Sequence, residues 1–100
     1  MTDLRDLIPV GVVNANQMKV LFDYARENSF AYPAVNVVST NSINAALESA
    51  KECSSPIIIQ LSYSGSAFFI GKGAGISGHE ASIAGATAAA HYVHAAAKVY

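Results

Sequence analysis

The sequence predicts an α/β fold built on parallel strands, and three features of its 100 residues support that reading. Short β-branched runs alternate with helical patterns, and such alternation marks α/β architectures. The two runs begin 23 positions apart, at Ala34 and Ile57. That spacing holds one strand, one crossover helix and two short loops, the connection that parallel pairing requires. The second run, Ile57-Ile58-Ile59-Gln60-Leu61, is almost wholly apolar, as in strands covered on both faces.

The first helix is read from Asn14 to Glu27. Ala15, Met18, Leu21, Phe22 and Ala25 recur at helical spacing. Asn14 or Asn16 can cap it, because a short side-chain oxygen accepts from the free amides of a first turn. Asn28 and Ser29 end it, and Ala34 to Val38 follow as a strand. Thr40, Asn41 and Ser42 open a second helix over 43–52, with Ile43, Ala46, Leu47 and Ala50 on one side. Ser54-Ser55-Pro56 breaks it before the second strand. The glycine- and serine-rich stretch 62–78 reads as a long βα loop, and long loops in compact domains tend to be functional. A third helix is expected over 80–98.

Apolar residues make up 52% of the chain and charged residues only 13%, about half the ~25% usual for a soluble domain. Such a chain looks like material that other chain covers. Two strands cannot cover their own faces, and a (β/α)8 barrel takes about 250 residues. The expectation is therefore the N-terminal portion of a TIM barrel with a preceding helix, residues 1–100 forming an incomplete part of one domain. Net charge is −1, which leaves no basic field to attract nucleic acid or a membrane surface. Cys53 is the one cysteine; it cannot form an internal disulfide and suits a reducing, cytoplasmic compartment. The N-terminus lacks the long apolar run of a secretory signal. The alanine-rich segment 81–97 carries two histidines and reads as a buried soluble helix.

Several motifs are weighed and set aside. Gly73-Ala74-Gly75-Ile76-Ser77-Gly78 fits G-x-G-x-x-G, but a dinucleotide site needs its first glycine directly after a strand and an acidic residue about 20 positions on. Neither condition holds. Gly71-Lys72 fails as a phosphate loop, because Gly73 stands where Ser or Thr must bind magnesium. His91 and His94 share a helix, yet a metal needs three or four convergent ligands; packing among alanines is the favoured reading. His79 is expected as a solvated residue at the helix start. Asn36 and Ser62 stand apart from these. Each lies near the C-terminal end of a strand, the end that faces the active site in a parallel barrel. Position alone leaves substrate contact and a structural hydrogen bond equally open. Gln60 shares the side of Ile58 and Ser62, and its role is open.

Successive blocks of the chain resemble one family in order. Phe30 to Val38 looks like its first barrel strand, F-A-x-P-A-x-N, and Ser42 to Glu48 like its first barrel helix. Ser55 to Ser62 matches the second strand, Phe68 to Gly73 the following loop, and Ala81–Ala86 with Ala90–His94 the next helix. The resemblance is to class II fructose-bisphosphate aldolases, notably the dimeric bacterial and yeast subgroup. It implies a TIM barrel, reversible cleavage of fructose 1,6-bisphosphate into dihydroxyacetone phosphate and glyceraldehyde 3-phosphate, a zinc ion, and a homodimer at full length. It also implies that Asn36 and Ser62 bind the sugar-phosphate substrate. Where the family usually has S-N-G-G, this chain reads Ser62-Tyr63-Ser64-Gly65. The family's H-x-D-H motif, with its catalytic aspartate and first zinc ligand, is expected just beyond Tyr100, so no catalytic or metal residue is assigned here. Two other readings stay open: a tagatose-bisphosphate aldolase, and a non-catalytic assembly module reusing the first barrel units.

Overall fold

The computed structural model describes residues 4–100. A short 3-10 turn, Leu4–Asp6, precedes helix α1, Ala15–Glu27. Strand β1 is Ala34–Asn36, α2 is Thr40–Glu52, and strand β2 is Ile58–Gln60. Helix α3 spans Tyr63–Ile70, a 3-10 turn spans Lys72–Ala74, and α4 runs from Gly78 to Ala96 into a last 3-10 turn, Ala97–Val99. The two strands pair in parallel, with Ala34 opposite Ile58, Val35 opposite Ile59 and Asn36 opposite Gln60. This is the α/β opening of a barrel sheet, as the strand spacing predicts.

Local chemistry explains each boundary. The Asn14 side chain accepts from the Gln17 amide at 2.8 Å, and Gln17 Oε1 accepts from the Asn14 amide at 2.9 Å. This reciprocal cap satisfies two donors that the helix itself cannot. Ser39 caps α2 in the same way. Its hydroxyl accepts from the Ser42 amide at 3.2 Å, and Ser42 Oγ accepts from the amides of Ser39 and Val38, each at 3.0 Å. Both strands are shorter than the runs 34–38 and 57–61 that were expected, for a related reason. The Val38 amide is drawn into the α2 cap instead of a ladder, while at the other strand Ser62 already caps α3. Ser39→Ala is expected to cost about 1 kcal/mol, the usual value of such a cap. A urea midpoint measured on a folded barrel containing these residues checks it.

The core lies on one side of the sheet. Val37, Ile43 and Leu47 form its buried centre, and Ile59, Leu61, Phe69, Tyr92 and Val93 pack around them. Tyr92 donates to Asn44 Oδ1 at 2.7 Å, tying α4 to α2. On the same side, α3 lies against α4 over the most extensive helix contact in the molecule. Ahead of β1, Phe22, Tyr24, Phe30 and Tyr32 form a run of tilted and edge-to-face rings. Tyr32 donates to the Leu21 carbonyl at 2.7 Å, and burial raises the pKa of its hydroxyl.

Helix α3 departs from the sequence reading, which treated 62–78 as loop. Its first turn is rich in small polar residues, yet Ser62 supplies a cap by accepting from the Gly65 amide at 3.0 Å. Its buried residues are the small Gly65 and Ser66, which let it lie close to its neighbours, and Phe69 reaches the core. Helix α4 begins two residues earlier than expected, because Ser77 caps it by accepting from the Glu80 amide at 3.1 Å.

Candidate functional site at the strand ends

Side chains alternate across a strand, and the packed side takes Val37, Ile59 and Leu61. The opposite side therefore presents Ala34, Asn36 and Val38 from β1 and Ile58, Gln60 and Ser62 from β2. Much of this face is uncovered among the described residues, with Val38 42% exposed and Ile58 38%, and α3 approaches it at Gly65, beside Val38 and Ser62. Asn36 and Gln60 stand side by side in register, with Val38 and Ser62 one step further toward the C-terminal ends. The face thus carries Asn36 and Gln60 at its middle and Ser62 beside Val38 at its C-terminal end, the end where a parallel barrel binds its ligand.

Above this end lies an open cleft of about 740 Å³, lined by Val38, Ser62, Tyr63, Phe68, Lys72 and Ile76 among others. Its polar lining consists of hydroxyls and one ammonium, with no carboxylate. That set donates hydrogen bonds and positive charge, the needs of a phosphorylated ligand. Ser62 is in the cleft. Asn36 lies one step below it on the same open face and does not line it. Ser62 also serves as the α3 cap, so the structural hydrogen bond weighed against substrate contact is present. The cap uses the hydroxyl oxygen as acceptor and leaves its proton free to donate.

Small residues hold this arrangement in place. A Cβ on Gly65 would lie 3.0 Å from Ser62 Oγ and 3.4 Å from the Val37 carbonyl oxygen. Gly71 and Gly75 adopt φ of 98° and 71°, which lets the chain turn back from α3 into α4 without a side-chain clash. Ser82, buried on α4, donates to the Tyr63 carbonyl at 2.6 Å and ties the start of α3 down.

The histidines are placed differently from the favoured packing. His91 and His94 are exposed on α4 rather than packed among alanines, because the helix turns its Ser82, Gly85 and Ala89 side inward. His79 is exposed in the first turn of α4, as expected, and its ring also stacks against Tyr63. Among the described residues no three His, Cys, Asp or Glu side chains converge to hold a metal ion. These residues do not fit a metal centre, so no chemical step is derived through one. Sequence reasoning missed Tyr63 as a member of the site. The signal was its place directly after Ser62, where an exposed ring must lie at the mouth of the strand ends.

Comparison with known proteins shows the family. The family model described as fructose-bisphosphate aldolase class-II matches residues 16–100. A fructose-bisphosphate aldolase of Schizosaccharomyces pombe is 48% identical over 97 residues, covering 97% of this chain and 27% of the relative. That of Edwardsiella ictaluri is 44% identical over 100 residues, covering all of this chain and 28% of the relative. The crystal structure of fructose-bisphosphate aldolase from Campylobacter jejuni matches with a TM-score of 0.91 and 41% identity. It covers 100% of this chain and 28% of its own. Parallel βα units that superpose along their whole length on that structure define an α/β fold, the N-terminal portion of a TIM barrel. Within that class, the chain belongs to the class II fructose-bisphosphate aldolase family. It spans about a quarter of the length of the relatives it matches.

No helix among the described residues is long and apolar enough to cross a membrane.

Proposed function

We propose that these residues form the opening quarter of an enzyme that reversibly cleaves fructose 1,6-bisphosphate to dihydroxyacetone phosphate and glyceraldehyde 3-phosphate. One observation carries the reading. The whole chain superposes on a solved aldolase at a TM-score of 0.91, with Asn36 and Ser62 turned to the open, C-terminal side of the sheet. In this reading Ser62 donates its free proton to the sugar phosphate, and the Asn36 amide orients the ligand deeper in the barrel. Both act as positioning groups, since hydrogen bonds to a charged ligand are stronger than neutral ones and fix its register. The enzyme works in glycolysis or its reverse, in the cytoplasm, as a homodimer at full length, and without nucleic-acid or membrane partners. Its zinc would be held by residues outside this chain, beginning with the family's H-x-D-H pattern, so the part supplied here is substrate binding.

The test uses a chimera in which residues 1–100 replace the matched quarter of the Schizosaccharomyces pombe aldolase. The chimera is expected to cleave fructose 1,6-bisphosphate, whereas residues 1–100 alone release no product. Ser62→Asp discriminates further. Aspartate keeps the helix cap but sets a carboxylate against the phosphate, so KM should rise about a hundredfold or more, as for a lost charge-assisted contact plus repulsion. Thermal stability should change little. A soluble, zinc-loaded chimera without turnover, or a Ser62→Asp chimera with the parent KM, would sink the reading.

A further inference from the structure

We propose that Tyr63 determines which ketose bisphosphates reach Ser62: its ring is a fixed wall that admits a six-carbon ligand and hinders a longer one. The inference rests on the aldolase reading above, because it concerns the same cleft.

The ring is positioned by its backbone and by one ring neighbour, and its hydroxyl shows how far it reaches. Its backbone is held by the hydrogen bond from Ser82 Oγ to the Tyr63 carbonyl, at 2.6 Å. Its face stacks on His79, with centroids 6.4 Å apart and planes inclined by 30°. Its hydroxyl end reaches the start of α4, 3.6 Å from where a Cβ on Gly78 would sit. The ring therefore bridges the first residue of α3 and the first turn of α4. It is nonetheless 61% exposed, whereas a tyrosine that served packing alone would be largely covered. A stiff ring with few torsions, held in place and left open on one side, gives a pocket shape at small entropic cost.

Its location gives the wall a function. Tyr63 directly follows Ser62 and lines the same cleft, together with Lys72 and Ile76. This chain has the ring directly after Ser62, where the resemblance set out above implies asparagine. An aromatic ring in place of a short amide takes up space beside the phosphate-binding hydroxyl. A ligand whose phosphate lies at Ser62 must then fit its carbon chain between the ring and the rest of the barrel, so added length is penalised. His79 is the prop: without it the ring can swing outward.

The experiment uses the same chimera and two probes, fructose 1,6-bisphosphate and a seven-carbon ketose 1,7-bisphosphate. The measured quantity is the ratio of kcat/KM for the longer probe to that for the shorter. Calorimetric affinities for both probes are measured alongside. Tyr63→Asn is expected to raise the ratio about tenfold, the scale at which a pocket discriminates one carbon unit. The rise should appear in KM and in the binding affinities rather than in kcat. Tyr63→Phe should keep the parent ratio, because the ring and not the hydroxyl forms the wall. His79→Ala should move the ratio part of the way. An unchanged ratio in an active Tyr63→Asn chimera overturns the proposal, as does a Tyr63→Phe chimera that behaves like Tyr63→Asn. If the parent binds both probes without turnover, the aldolase reading fails while the affinity ratio still decides the wall. If it binds neither, both fall.

Discussion

Replacing Gly85 with alanine in the chimera is expected to destabilise it by about 2–3 kcal/mol, the cost of forcing an extra group into a packed contact. On helix propensity alone the change should stabilise the protein by about 1 kcal/mol, so the sign of the effect is itself the test. Gly85 lies in the interior of α4 at the point where α3 crosses it. A Cβ there would sit 1.6 Å from the Ser66 carbonyl oxygen and 2.5 Å from its carbonyl carbon. Both are backbone atoms, which cannot rotate away as a side-chain tip can. The first half of α3 would have to lift off α4, and with it the hydrogen bond from Ser82 to the Tyr63 carbonyl. Ser66 and Ser82 are both buried at this contact, so the displacement also opens polar groups that now have partners. Because Ser62 caps α3, the damage should reach the site: KM for fructose 1,6-bisphosphate should rise along with the fall in the urea midpoint. Ala89→Gly, on the same buried side, serves as a control. It removes a methyl group and should cost about 1 kcal/mol by propensity and cavity while leaving KM unaltered. A Gly85→Ala chimera with an equal or higher midpoint than its parent would show that α3 and α4 can separate freely.

The same contact shows what the sequence could and could not reveal. Helices α1, α2 and α4 were legible from features within one segment: a stripe preceded by Asn14 or Asn16, a stripe opened by Thr40, Asn41 and Ser42, and the alanine-rich run after Glu80; the caps at Ser39 and Ser77 emerged from the structure. The strands were legible from β-branched runs, although their ends were not. Where a strand stops depends on whether Val38 finds a ladder partner or the Ser42 hydroxyl, and that is a tertiary matter. Helix α3 was hidden because glycine and serine at 64–66 signal a loop locally, while their function is to let two backbones approach. A residue chosen for its smallness against a distant element leaves no periodic trace. The exposure of His91 and His94 was hidden for the same reason, since α4 is apolar or small nearly all round. Its inner side is decided by Gly85 and Ser82 meeting α3, not by a contrast of polarity. At the site, Asn36 and Ser62 could be put near the C-terminal ends of their strands, and the shared face needed the register of β1 against β2. The double use of Ser62, as cap and donor, needed the helix that follows it. Tyr63 needed His79, sixteen residues away in sequence.

Residues 1–100 on their own are expected to lack a cooperative unfolding transition and to bind an apolar dye such as ANS. Their accessible surface is 6461 Å², against roughly 5400 Å² for a folded monomer of the same 10.4 kDa mass. The radius of gyration is 15.0 Å, where about 13 Å suits a compact domain of this length. The molecule measures 51 × 22 × 19 Å. Among the described residues only Ile43 and Val37 are large side chains that are fully buried, so little apolar area opposes the entropy of ordering the chain. Val35, Val38, Ile58 and Phe68 instead remain between 37% and 56% exposed. In the chimera the rest of the barrel covers the open sheet face and both strand edges, and the same residues should then unfold in one step with it. Circular dichroism and intrinsic tyrosine fluorescence followed through a urea series would distinguish the two cases. The isolated chain should give broad, non-coincident curves. A single sharp transition, with a slope near the roughly 1 kcal/mol/M of a small domain and a monomeric mass by sedimentation, would mean that two parallel strands and their helices suffice as a folding unit. The open face would then be an ordinary surface and not one side of a larger core.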